Sequence, residues 1–173
     1  MRARQASRGA RRGREFEAFV AGAAGRLLHT ATLLTAEAPD ANPRARRLLT
    51  RALAHTYAAW GRLRGEDPYD RTRAYLALRF AHRARHRYGA RGRAGPAPGS
   101  TLAHLTPRER LVLALRLYEG VAEEQTAALL GLPADRVRTL CDRATATLLH
   151  PPRPRAPEAA GAEAAGAMTR RPR

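Results

Sequence analysis

The sequence predicts an all-α protein of two small helical domains joined by a short flexible linker. Three observations predict it. Apolar residues recur at three- and four-residue steps, no segment alternates with period two, and one Gly/Pro/Ala-rich stretch interrupts the helical pattern. A length of 173 residues allows one or two such domains, and 44% hydrophobic residues can build a modest core.

Residues 1–14 hold six arginines and no acid, and read as a disordered basic arm. From Glu15 the stripe Phe16, Val20, Ala23, Leu27, Ala31, Leu34 marks a first helix. Two prolines around Asp40-Ala41-Asn42 break it. A second helix carries Leu49, Leu53, Thr56, Trp60 and Leu63 on one face and ends at Gly65–Pro68. A third, about Asp70 to Tyr88, puts Ala74, Leu78, Ala81 and Tyr88 on one side. Domain boundaries follow at 15–89 and 102–150, with a linker over 90–101 and a disordered Pro/Ala-rich tail over 151–173. Trp60, Phe16, Phe19 and Tyr57 sit on or near apolar stripes and read as core.

The second domain opens at Thr106-Pro107-Arg108-Glu109, which offers a cap, a proline at the first helical position and an acid in the first turn. Its most specific signal is the helix-turn-helix pattern of Glu123 to Arg143. Ala127 is small where two helices must cross, and Gly131 can turn left-handed between them. Leu132, Val137 and Leu140 anchor the second helix, and Asp135 in its first turn suits the helix dipole. The exposed face then shows Ala134, Arg136, Arg138, Thr139, Asp142 and Arg143 as candidate DNA contacts.

Charge supports a polyanionic partner. The net charge is +17, and all 32 basic residues are arginine. GC-rich coding explains arginine in place of lysine, though not the excess of positive over negative charge. Arg79, His82, Arg83, Arg85, His86 and Arg87 crowd the third helix with no acid after Asp70, so nucleic-acid contact is expected there too. His82 and His86 stand four apart, but no acid or cysteine nearby completes a metal site, and neither a metal nor a cofactor is expected. The single cysteine, Cys141, excludes an intramolecular disulfide and falls near the core side of its helix. Ser7 and Ser100, the only serines, lie in no nucleophile motif, and no glycine-rich phosphate loop occurs, so no enzyme is expected. Without an apolar run of membrane-spanning length, the chain reads as cytoplasmic.

Two stretches together resemble the extracytoplasmic-function group of the bacterial sigma-70 family, in the short form common in actinobacteria. Glu15 to Tyr88 (FEAFVAGAAGRLLHTATLLT, RALAHTYAAW, RTRAYLAL) is similar to region two. Leu102 to Leu149, with LTPRERLVLALRLYEG before the helix-turn-helix, is similar to region four. The resemblance implies a transcription initiation factor that binds core RNA polymerase and promoter DNA, with an anti-sigma factor as a further candidate partner. It implies that the recognition helix reads the minus-thirty-five element, and that the third helix of the first domain meets the minus-ten element. Polymerase docking would fall on Arg46, Arg47, Leu48, Leu49 and Thr50. The family usually has a pair of acids where Arg46 and Arg47 stand, so docking on a surface tuned to acids loses attraction here. A stand-alone helix-turn-helix regulator without tight polymerase docking is the alternative.

Overall fold

A computed structural model of the chain describes residues 2–63, 65–87 and 100–151. The side chains of residues 2–6 and 85–87, the central linker and the tail from residue 152 lie outside the described residues. Among the described residues six α-helices follow in order: α1 (Arg2–Thr35), α2 (Pro43–Ala59), α3 (Pro68–Arg87), α4 (Pro107–Leu113), α5 (Glu123–Leu130) and α6 (Ala134–Leu149). Short 3-10 turns cover Trp60–Arg62 and Thr101–His104, and no strand occurs among the described residues.

The first correction concerns residues 1–14, read above as disordered. Helix α1 runs through them from Arg2 without a break at Glu15. Two side chains account for this. Arg11 pairs with Glu15 one turn on, at 2.7 Å, and Arg12 bonds the Tyr57 carbonyl while lying 4.5 Å over the Tyr57 ring. Phe16 then meets Tyr57 at 4.8 Å and Trp60 edge-on at 5.1 Å, so an aromatic cluster clamps α1 onto the end of α2. The expected aromatic core is therefore a half-covered seam, with Tyr57 still 41% exposed.

The break between α1 and α2 has its own logic. Pro43 opens α2, and Asn42 before it makes no side-chain cap. The cap comes from Glu37, whose carboxylate accepts from the amides of Arg44 at 3.0 Å and Ala45 at 2.7 Å. It also pairs with the Arg44 guanidinium at 3.0 Å. Burial opposes the charge on Glu37, yet these donors outweigh it and hold the carboxyl below its ordinary range.

On α3 the buried face differs from the expected one. Leu76 and Ala77 are buried and Phe80 packs beside them, whereas Leu78 is 43% exposed. The reason is that α3 packs against α1, α2 and α4. Thr72 meets Thr56 of α2 at 2.7 Å, and one and a little over one turn on, Leu76 and Ala77 join the buried cluster built with those three helices.

Helix α4 starts as its sequence demands, with a reciprocal capping box between Thr106 and Glu109. It then widens into a π-helical turn, Ala114–Tyr118. Gly120, at φ +69°, closes it and lets the Val121 amide reach back to the Leu115 carbonyl at 2.9 Å. Leu111, Ala114, Leu115 and Val121 thereby enter the same buried cluster as Leu27 and Leu34 of α1, Leu48 and Leu49 of α2, and Leu76 of α3. The two helical parts share a core, which the flexible-linker reading did not show.

Polar groups fix that junction. The Glu119 side chain is fully buried and collects donors from both helices beneath it. Tyr69 donates its hydroxyl at 2.9 Å, Thr30 donates to the other carboxylate oxygen, and Arg26 and Arg73 stand at 3.6 and 3.9 Å. Burial, then the bond to Glu119, pushes the Tyr69 hydroxyl's pKa up, so it remains a donor. Nearby, the buried Arg110 donates to the Leu34 carbonyl at 3.0 Å and to Leu105 at 3.0 Å.

Three substitutions test these contacts. Replacing Glu119 by Ala leaves the Tyr69 hydroxyl without its acceptor and takes the carboxylate away from Thr30, Arg26 and Arg73, and should cost about 3 kcal/mol in denaturant unfolding. Glu66→Ala, which removes an exposed partner of Arg71, should cost under about 1 kcal/mol. Because the folded-state pKa of Glu37 is depressed, its contribution is present above the unfolded value of 4.5 and lost as pH falls through the folded one. Glu37→Gln should therefore lose about 1 kcal/mol at neutral pH, and the gap to the parent should close in acid melts.

Candidate nucleic-acid interface

The helix-turn-helix is built as its residues require. Gly131 ends α5 at φ +63°, in the left-handed region, and the Leu132 amide bonds the Ala127 carbonyl at 3.0 Å. Space would admit a Cβ at Gly131, so the constraint there is the backbone angle alone. Val112 of α4, Ala127 of α5, and Val137 and Leu140 of α6 form a second core, bordered by Leu132, Ala134 and Cys141. This core sets the roll of α6 and so decides which side chains face outward. Burial pushes the Cys141 thiol up, which suits a packed residue rather than a reactive one.

The six recognition-helix candidates do not stand alike. Arg136, Arg138, Thr139, Asp142 and Arg143 are exposed, whereas Ala134 is half-buried against the core and offers little to a ligand. Thr139 turns its hydroxyl back to the Asp135 carbonyl at 2.8 Å. Arg138 forks onto Glu123 at 2.7 and 3.3 Å, so reaching a phosphate means exchanging one anion for another. Arg143 lies 4.0 Å from Glu109. Arg136, three residues after the N-cap Pro133 of α6, has no carboxylate within salt-bridge distance among the described residues. It is the best placed of the four cations and neutral donors to meet a base edge or phosphate.

The basic helix α3 is only partly open. His82 is exposed, and Arg79 and Arg83 are half-buried. The Arg79 Nε is enclosed without a partner among the described residues. Helix α3 extends to Arg87, but the side chains of Arg85, His86 and Arg87 lie outside the described residues.

The α2 candidates split cleanly. Arg46, Arg47 and Thr50 are exposed, while Leu48 and Leu49 are buried at 2% and 8%. Leu48 and Leu49 are thus core residues and cannot touch a partner, a correction that helical geometry explains. The two leucines are adjacent and both fall on the inward stripe with Ala45 and Ala52. Glu119 and Arg110, which hold the recognition half in place, went unnoticed in the sequence. The only signal was an isolated acid just before Gly120 in an arginine-rich chain.

No described helix is long and apolar enough to cross a membrane. No curated protein and no solved structure matches the chain. Residues 101–149, spanning α4 to α6, match the family model for sigma-70, region 4.

Proposed function

We propose that the chain is a transcription initiation factor of extracytoplasmic-function type, which directs core RNA polymerase to promoters and reads the minus-thirty-five element through α6. The observation that carries this reading is an open recognition helix inside the segment that matches region 4. Arg136 leads the contact, with Thr139, Arg138 and Arg143 beside it and Asp142 selecting against some bases. The basic α3, with His82 exposed, would meet the minus-ten element. On α2 the surface offered to polymerase is Arg46, Arg47 and Thr50.

A second reading has a specific observation behind it. The core shared by both halves, with Glu119 and Arg110 across the junction, favours a factor that binds DNA as one body without tight polymerase docking. The reversed charge at Arg46 and Arg47 points the same way.

Run-off transcription with purified core polymerase, on templates enriched by the protein's own DNA binding, separates the two. Specific factor-dependent transcripts are expected from an initiation factor. Enrichment of a sequence without transcripts would assign the stand-alone role, and enrichment of no sequence would sink both readings. Duplex affinity measured by fluorescence anisotropy should fall steeply with salt, because each neutralised phosphate releases counterions. Arg136→Gln should weaken selected DNA about tenfold. The loss at Arg138→Gln should be smaller, since the parent arginine must first leave Glu123.

A further inference from the structure

Between the second half of α3 and the helix-turn-helix lies a cavity of about 530 Å³, inside the range of small-molecule sites. Ala81 and Ala84 form the α3 wall, and Leu111, Val112 and Leu140 face them. Arg108, Arg136 and Arg143 border the same cavity, with Glu109 as its one acid. Glu109 is already committed: one oxygen accepts from the Thr106 amide at 2.8 Å, and the other faces Arg143 at 4.0 Å. Arg108 and Arg136 are exposed and have no carboxylate within salt-bridge distance among the described residues.

Each half of this arrangement selects a different part of a ligand. Apolar walls favour burial of an aliphatic body. Unpaired guanidinium groups at the edge bind carboxylate or phosphate in a fork. We propose that the cavity is a binding site for a small amphipathic anion, its carboxylate or phosphate head on Arg108 and Arg136 and its aliphatic body between α3 and α4. Arg136 also belongs to the recognition helix, so a bound anion engages a cation that would otherwise face DNA. The site itself rests on the cavity and its charges, not on the DNA reading.

Calorimetric titration of the full chain without DNA tests it, using dodecanoate and dodecyl phosphate below their micelle concentrations. Dodecyl maltoside, dodecyltrimethylammonium and inorganic phosphate serve as comparison probes, the last because a chain of charge +17 attracts any anion weakly. One equivalent of either anionic amphiphile should bind saturably, and the three comparison probes should bind at least tenfold more weakly. Whichever of the two anions binds tighter identifies the head group. Arg136→Gln should weaken binding about tenfold, the worth of one charged hydrogen bond. Ala84→Phe should block it, with a thermal melt confirming that this variant is folded. Equal binding of the maltoside or of inorganic phosphate would overturn the proposal, as would anion binding indifferent to Arg136→Gln.

Discussion

A carboxylate buried away from water must be matched by donors, and Glu119 is matched entirely from outside its own helix pair. Thr30 comes from α1 and Tyr69 and Arg73 from α3, with Arg26 closing the remaining side. Removing any of these elements leaves a charge in a low-dielectric site, which is why the arrangement is specific as well as stabilising. The π-helical turn at Ala114–Tyr118 is what delivers Glu119 to this point, and Gly120 is what lets the chain leave it. Arg110 does the complementary work one helix earlier. It covers the open carbonyl of Leu34 at the end of α1, where an unpaired acceptor would otherwise be buried.

These two polar links set the position of everything after them. Val112 and Leu111 are neighbours on α4, yet Leu111 faces the core shared with α1 to α3 and Val112 faces the helix-turn-helix core. Helix α4 is therefore a partition, with one side holding the first three helices and the other orienting α6. Because Val137 and Leu140 key α6 into Val112, the roll of the recognition helix is referred back to the whole bundle. The exposure of Arg136 follows from that chain of contacts and not from any property of the arginine.

The helical class, the turn at Gly131, the cap at Thr106 and the anchors of α6 were all legible, because each is a local rule read over a few residues. Leu48 and Leu49 were misjudged because a docking role carried over from a resemblance does not say which way a side chain points. The helical start at Arg2 was misjudged because its cause, Arg12 against Tyr57, spans 45 residues. The Glu119 cluster was invisible for the same reason, with its partners 46 to 93 residues away along the chain. On α3 the stripe through Leu78 was a sound amphipathic pattern, but packing against both α2 and α4 turned the helix to bury Leu76 and Ala77 instead.

Charge bears on how such a body could work. An exposed face carrying Arg46 and Arg47 repels a basic surface and attracts an acidic one, so any protein seated on α2 must bring acids of its own. The recognition half would meet no such conflict with a polyanion, since Arg136 has no carboxylate within salt-bridge distance among the described residues. A factor that must spread its two halves over separate sites would first have to open the shared core and strip Glu119 of its donors. One that acts as a single body keeps both. The balance between polymerase-borne and independent action thus comes down to whether contacts made on opening outweigh one buried carboxylate, one buried guanidinium and the leucines between them.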